Sequence, residues 1–379
     1  MIPLLDLRRQ YATIAEEVEE CLLRVARSQR YVLGPETEKL ESSLQEYLGV
    51  RHVVAVSSGT DALLSALMAL EVGPGDEVIV PTFSFFATAG VVVRVGARPV
   101  FVDVEPQTLT IDVKAVERAL SPRTKAIIPV HLYGQAAAMD ELLDLAEHVG
   151  VPIIEDAAQA LGARFRDGRM LGTLGQIGCY SFYPTKNLGA FGDAGLVVTN
   201  DDRLGHRLRI LRNHGMEPRY YHAIVGGNFR MDEFQAAILN VKLPYLDKWN
   251  ERRREHAERY RALLAQYGLS TPGGPIKLLD ERYPERKDSH IYHQFVVLAH
   301  HRDRLRAFLS QHGVGTEVYY PVPFHRQQCF ASLGYRDEDF PVANDAAARA
   351  LALPMYAELQ PDEIATVVEL IARFYQEGE

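Results

Sequence analysis

Between His52 and Asn200, short apolar runs alternate with segments of helical periodicity, and this alternation leaves few folds open to the chain. The runs typical of strands are HVVAVSS, EVIVP, RPVFVDV, KAIIPVH, VPIIEDA, IGCYSF and GLVVTN. Amphipathic helices such as TDALLSALMAL and MDELLDLAEHVG lie between several of them. Strands that are apolar on both faces are typical of a sheet covered by helices on both sides. The sequence therefore predicts an α/β fold with a mostly parallel central sheet.

Different patterns flank this region. An amphipathic helix begins near Tyr11, and Pro35 is typical of the first turn of another helix. After Asn240 the charged stretch KWNERRREHAERYRALLAQYG predicts an exposed helix, and HQFVVLA, DRLRAFLSQHG and TEVYYPVP then predict strand, helix and strand. We therefore expect a large domain over residues 1–250, N-terminal helices included, and a small α+β domain over residues 251–379.

Composition excludes several classes of function. A net charge of −9 argues against general binding to nucleic acid or to anionic membranes, although it leaves open a local pocket for a phosphorylated small molecule. The three cysteines are too widely spaced for a disulfide framework or a zinc ribbon, and the thirteen histidines show no metal-ligand spacing, so we expect no metal. The opening MIPLLDLRRQ meets charge too early for a signal peptide, and no apolar run is long enough to span a membrane. We predict a cytoplasmic protein.

One strand leads into a turn of small residues, Ser57 to Thr60, that opens a helix. Such a turn directs free backbone N–H groups and the positive end of the helix dipole at one point, which suits a phosphate. Gly59 and Thr60 are the candidate residues for this role. The alternative is a plain helix cap made by Ser58 or Thr60.

The central chemical hypothesis joins a lysine to a carboxylate. Lys186 lies in the Gly-rich segment SFYPTKNLGAFGDAG after a predicted strand, and a lysine held off the surface there is suited to bind an aldehyde and to carry a proton. Asp156 ends the apolar run VPIIEDAA at the edge of the sheet where open α/β sheets bind ligands, so it needs a cation such as a protonated pyridine nitrogen. The alternatives are a solvated surface lysine and a structural salt bridge.

Four further residues follow predicted strands and are candidates for the same site. Gln159 is placed to bond a ring substituent, and the ring of Phe85 is placed to cover a flat cofactor. Ser181 is placed to reach the same phosphate as Thr60, and His131, at another strand end, to line the substrate pocket. The alternatives are a helix-surface glutamine, a core aromatic, a buried serine bonded to the backbone and a structural histidine.

An ordered set of motifs now adds to this interpretation. The chain resembles the DegT/DnrJ/EryC1/StrS family of sugar aminotransferases over residues 4 to 375. The resemblance is carried, in this order, by SSGTDAL, PTFSFFATA, VHLYGQ, IIEDAAQALGA, SFYPTKNLG, GGNFRMDEFQAAIL and VYYPVPFHRQ. The resemblance implies a pyridoxal 5'-phosphate (PLP) enzyme of fold type I, with the aspartate aminotransferase architecture, that works as a homodimer.

The resemblance also implies roles for individual residues. Lys186 matches the lysine that binds the cofactor aldehyde, and Asp156 matches the partner of the pyridine nitrogen. The other matches are Gln159 near the pyridoxal oxygen, Phe85 on the ring, Gly59, Thr60 and Ser181 around the phosphate, and Asn228 reaching the phosphate of the opposite subunit. Tyr320 and His325 match a loop that closes over the substrate. Tyr183 stands where the family often has Phe, and we place its hydroxyl on the substrate side.

The implied reaction moves an amino group, with L-glutamate as the expected donor, to a nucleotide-linked 3-keto or 4-keto hexose. Three alternatives stay open: an aminocyclitol acceptor, a PLP-dependent sugar dehydratase, and a non-catalytic regulatory protein of the same fold. Retention of Lys186 argues against the dehydratase relatives, in which a histidine replaces that lysine.

Overall fold

The computed structural model describes residues 1–377, which form a helical N-terminal segment, a large sheet and a smaller C-terminal sheet. The strands are β1 (His52–Val56), β2 (Glu77–Pro81), β3 (Arg98–Val102), β4 (Thr124–Ile127), β5 (Ile154–Asp156), β6 (Ile177–Ser181), β7 (Gly195–Thr199), β8 (Ile276–Leu278), β9 (Phe295–Ala299) and β10 (Ala350–Leu353).

The helices are α1 (Leu7–Ala12), α2 (Ala15–Ser28), α3 (Pro35–Leu48), α4 (Gly59–Ala69), α5 (Ala87–Arg94), α6 (Val113–Ala119), α7 (Met139–Val149), α8 (Asp202–Arg212), α9 (Glu233–Lys242), α10 (Leu246–Gln266), α11 (Arg302–Gln311), α12 (Pro341–Arg349) and α13 (Pro361–Glu377). Within the described residues, no helix is long and apolar enough to cross a membrane.

The large sheet has the order β3-β2-β4-β5-β6-β7-β1. Regular pairing joins β3-β2-β4 and β5-β6-β7-β1, and parallel bridges from Ile127 to Ile153 and from Val130 to Asp156 connect the two halves. Only β7 runs against its neighbours in this sheet. The predicted α/β fold with a mostly parallel sheet is confirmed.

The strands are apolar throughout because both faces of the sheet are buried. In β1, Val54 and Val56 point into one hydrophobic cluster, while Val53 and Ala55 point into another on the opposite face. Because side chains alternate along a strand, each face needs its own apolar set. The helices on both sides thereby fix the sheet and leave the ends of its strands free to build a site.

The C-terminal sheet is antiparallel, with the order β10-β9-β8. Its core includes Leu305 from α11 and Val367 from α13, and Ile2 joins it through a parallel bridge to Val314. Helix α10 runs through residue 250, so the division at that point stays a proposal.

The prediction of a strand over TEVYYPVP is wrong. This segment contributes only an isolated bridge from Glu317 to Ala352, and β10 takes the place beside β9. Pro321 and Pro323 have no backbone N–H to donate to a strand ladder, which explains why the segment runs on as a loop.

Candidate active site

The candidate site lies where β5 and β6 end. Asp156, the last residue of β5, is buried, and its carboxylate has two fixed donors. The Thr88 hydroxyl donates to Oδ2 at 2.8 Å, and the backbone N–H of Ala158 donates to Oδ1 at 3.2 Å. Burial raises the pKa of Asp156, while these donors and the charge of Lys186 oppose the rise. The carboxylate is therefore oriented by hydrogen bonds, and it forms no ion pair within residues 1–377.

Lys186 lies in the loop after β6, where its backbone N–H donates to the Tyr183 carbonyl at 2.8 Å. Gly189 closes the same loop, because a Cβ there would lie 2.3 Å from the Pro184 carbonyl oxygen. Burial lowers the pKa of Lys186 to about 8, although the negative charge of Asp156 acts to raise it. At pH 7.5 about a quarter of such an amine is neutral, compared with about 0.1% of an ordinary lysine. The amine is therefore available as a nucleophile and as a base.

The small-residue turn and the end of β6 meet at one point. The Ser58 hydroxyl caps α4 by accepting the Asp61 N–H at 3.0 Å, so Ser58 is the helix cap. A Cβ on Gly59 would lie 2.7 Å from the Cβ of Ser181. Glycine therefore keeps open the space between the start of α4 and Ser181, where Thr60 also lies. A helix start with free N–H groups and a hydroxyl beside it suits a phosphate.

Gln159 connects this sheet edge to the C-terminal part of the chain. Its Oε1 accepts the Tyr133 N–H at 2.7 Å, and its Nε2 donates to the Tyr320 hydroxyl at 3.0 Å. The hydroxyl of Tyr133 also donates to the Tyr319 carbonyl. Residues 319 and 320 are thereby held against this edge of the sheet, and the contact of Tyr320 with the substrate stays a prediction.

Phe85 stands at the mouth of this region. Its side chain is 56% exposed, and its ring centroid lies 6.3 Å from that of Tyr320. A core aromatic would be covered, so Phe85 is free to lie against a flat ligand. Tyr183 is 52% exposed and likewise has its ring open to a ligand.

The scan against family models matches residues 12–372 to the DegT/DnrJ/EryC1/StrS aminotransferase family. The chain belongs to this family. It is 48% identical over 375 residues, 99% of each chain, to a pleiotropic regulatory protein of Geobacillus stearothermophilus. It is 43% identical to a UDP-N-acetyl-3-dehydro-alpha-D-glucosamine 3-aminotransferase of Acidithiobacillus ferrooxidans, over 98% of this chain and 97% of the relative.

A solved structure of DesV from S. venezuelae, in complex with a ketimine intermediate, has the same fold. Its TM-score is 0.94 at 41% identity, with 100% of this chain and 99% of that chain covered. The chain is thus a PLP-dependent sugar aminotransferase of fold type I. The residues described above fit PLP, because Gly59 leaves a cradle beside Ser181 and Lys186 has a lowered pKa. The oriented carboxylate of Asp156 also has no ion pair within the described part of the chain.

Both histidines that the sequence predicted as substrate residues of this aminotransferase have their ring nitrogens in hydrogen-bond contact with the protein. His131 is fully buried, its Nε2 lies 2.8 Å from a Glu155 oxygen and its Nδ1 accepts the Ala137 N–H at 3.1 Å. The side chain of His325 is 1% exposed, with Nδ1 at 2.9 Å from the Thr82 hydroxyl and Nε2 at 3.1 Å from Asn344 Oδ1. Neither ring offers a free nitrogen to a sugar, so their contacts favour structural roles over the predicted ones.

Asn228 is exposed and lies beside the turn from Ser57 to Thr60 of its own chain. The Phe229 carbonyl accepts the Ser57 N–H at 2.9 Å, and Arg230 bridges to Val56 at the end of β1. The reach of Asn228 to an opposite subunit of this aminotransferase stays a prediction.

Three residues that hold predicted site residues in place were missed from the sequence. Thr88 orients Asp156, Tyr133 binds Gln159, and Glu155 accepts three backbone N–H groups besides its contact with His131. Thr88 follows Phe85 by three residues in PTFSFFATA. Residues at this spacing lie on the same face of a helical turn, so the position of Thr88 near the site could have been predicted from that of Phe85. For Tyr133 and Glu155 the sequence carries no signal beyond their positions in VHLYGQ and IIEDAAQ.

Proposed function

We propose that this aminotransferase moves an amino group from L-glutamate to the keto carbon of a nucleotide-linked 3-keto hexose. The observation that carries the proposal is that the adjacent strands β5 and β6 lead to the buried and oriented carboxylate of Asp156 and to Lys186, whose pKa is lowered to about 8. The relative from Acidithiobacillus ferrooxidans, named for a UDP-linked 3-dehydro sugar, supports position 3 over position 4.

When bound, PLP supplies an aldehyde that takes up the amino group and a ring that withdraws electrons from the reacting carbon. The chain supplies the proton transfers and the charges. We assign Lys186 Nζ as the base that removes the proton from the donor carbon and later returns a proton to the sugar carbon. We assign Asp156 to hold a positive charge on the ring nitrogen. Over the whole reaction, glutamate becomes 2-oxoglutarate and the keto sugar becomes an amino sugar.

The binding assignments follow from the same geometry. The start of α4 with Gly59 and Thr60, together with the Ser181 hydroxyl, holds the phosphate, and Phe85 covers the ring. Gln159 binds near the ring oxygen while Tyr320 and Tyr183 face the substrate. The exposed position of Asn228 supports a homodimer in which it completes the partner's site. Cys21 and Cys179 are buried free thiols, which supports a reducing, cytoplasmic setting.

The test follows 2-oxoglutarate release from L-glutamate with a panel of UDP-linked and dTDP-linked 3-keto and 4-keto hexoses. We expect turnover with a 3-keto sugar, and borohydride should trap the cofactor covalently on the peptide that contains Lys186. Lys186→Ala should lose both signals, and Lys248→Ala, at an exposed lysine, serves as the control. Preference for a 4-keto sugar would refute position 3, and turnover by Lys186→Ala would refute the catalytic assignment.

A regulatory function is the second candidate, because the relative from Geobacillus stearothermophilus is named as a pleiotropic regulatory protein. The pair of Lys186 and Asp156 favours catalysis, since a protein that only senses a ligand needs no amine of lowered pKa. Failure of the PLP-loaded protein to release 2-oxoglutarate with every sugar of the panel would favour the regulatory alternative.

A further inference from the structure

A second buried lysine lies close to the Lys186 loop. Lys242, the last residue of α9, is 2% exposed, and its ammonium donates to the Gly189 carbonyl at 2.5 Å. Its Nζ also lies 5.6 Å from the ring centroid of Phe191 and 5.9 Å from that of Trp249. Lysine is rarely buried unless a specific contact holds it. The contact here is made with the loop, three residues after Lys186.

The same helix holds the loop at a second point. The side-chain oxygen of Gln235 accepts the Phe191 N–H at 2.8 Å, and its amide nitrogen contacts the Phe191 carbonyl at 3.5 Å. A Cβ on Gly192 would lie 3.0 Å from that nitrogen, so the loop is packed closely against Gln235. Gln235 and Lys242 are seven residues apart, about two helical turns, and therefore share one face of α9.

Helix α9 is a rigid support for these contacts. Ala236, Ala237, Ile238 and Leu239 are all buried, and α9 packs against both α2 and α3. A loop held at two points by such a helix has little freedom to move. Because Gly189 also packs on Pro184, the segment on each side of Lys186 is fixed.

We propose that Lys242 is a positioning residue for Lys186, and that with Gln235 it clamps residues 189–192 so that the Lys186 amine meets the reacting carbon in one geometry. The role assigned to Lys186 rests on the proposed function, whereas the clamp itself does not. Burial lowers the pKa of Lys242 to about 8, and the charge of Glu358 opposes this change. A hydrophobic side chain would avoid this cost of burial, and the charged hydrogen bond to the Gly189 carbonyl offsets it here.

The test is hydrogen exchange measured peptide by peptide on the PLP-loaded enzyme, together with kcat and KM. For Lys242→Met we expect exchange in the peptide over residues 182–192 to rise about tenfold, while peptides from β1 to β4 stay unchanged. We expect kcat to fall about tenfold or more, because a small displacement of a catalytic group has a large effect on rate. KM for the sugar should stay near its original value, since Lys242 does not contact it.

Three further variants complete the design. Lys242→Arg keeps a donor, and the cavity of about 180 Å³ lined by Leu7, Tyr11 and Lys242 gives it room, so it should recover most of kcat. Lys248→Met removes an exposed lysine and should change nothing. Gln235→Ala removes the second contact of the clamp and should reproduce the local rise in exchange, which keeps the test available where Lys242→Met does not fold.

Exchange over residues 182–192 that equals the wild type would overturn the proposal, whatever the activity. A rise spread evenly over all peptides would also overturn it, because Lys242 would then stabilise the whole core. A local rise with unchanged kcat would show that the clamp does not position Lys186. Absence of transamination in the wild type would refute the proposed function alone, since the exchange measurement still decides whether the clamp exists.

Discussion

The bond from Thr88 to Asp156 allows a quantitative test of the site. Thr88→Val removes the hydroxyl that donates to Asp156 Oδ2 at 2.8 Å and keeps the shape of the side chain. A hydrogen bond to a charged group contributes about 1.5–3 kcal/mol. Without this bond the ionised carboxylate loses that stabilisation, so the pKa of Asp156 should rise further.

The direction of the effect on activity follows from the sign of this change. Burial already raises the pKa of Asp156, and the Thr88 hydroxyl and the Ala158 N–H oppose that rise. Without Thr88 the carboxyl stays protonated up to a higher pH, so the active, ionised fraction is lost earlier as the pH falls. We expect the acid limb of kcat/KM to move to higher pH, with a much smaller change on the plateau.

The assay is the pH profile of kcat/KM for wild type, Thr88→Val and Thr88→Ser with the same two substrates, whose own ionisations then cancel. Thr88→Ser keeps the hydroxyl and should keep the wild-type profile. The hydroxyl also lies 3.1 Å from the Phe85 carbonyl, and it has only one hydrogen to donate. Identical acid limbs for all three enzymes would show that this hydrogen points to Phe85, and the argument would be refuted.

Three other predictions concern the cradle, the histidine and the subunit interface. Gly59→Ala places a Cβ 2.7 Å from that of Ser181, so we expect PLP to bind at least about tenfold more weakly in an absorbance titration. Unchanged affinity would contradict phosphate binding between the start of α4 and Ser181. His131→Leu removes a hydrogen-bond donor from Glu155, so we expect the free energy of unfolding to fall by about 1–3 kcal/mol in a denaturant titration. KM for the sugar should stay unchanged. A raised KM with full stability would restore the role of His131 in the sugar pocket. Asn228→Ala should retain PLP poorly, and coexpression with Lys186→Ala should restore activity through one intact shared site; no restoration would place Asn228 outside the partner's site.

The sequence predicted the fold because strand and helix periods are local properties. Each strand alternates its side chains between two buried faces, so every apolar run from HVVAVSS to GLVVTN carried its own signal. The loop TEVYYPVP carried the same signal and misled, because its two prolines outweigh its β-branched and aromatic residues.

Candidate residues of the site were predictable where chemistry restricts the residue type. A lysine and an acid at the ends of buried strands, with a glycine before a helix, are few enough in a chain to be noticed. The position of a histidine is less informative, because histidine occurs both in protein cores, where it is hydrogen-bonded, and in active sites. His131 was predicted to face the substrate from its position at a strand end, and His325 from the family resemblance. The hydrogen bonds of both side chains in the structure favour the core.

The sequence by itself determined which residues stand at the edge of the sheet, since that depends on periods of two and of 3.6 residues. Only the tertiary structure decided their partners. Thr88 meets Asp156 across 68 positions of the chain, and Lys242 meets Gly189 across 53. A hydrogen bond forms only within about 3 Å, and the distance between segments so far apart is set by the packing of the whole core. The same packing lowers the pKa of Lys186, because desolvation depends on the neighbours that the fold brings to it.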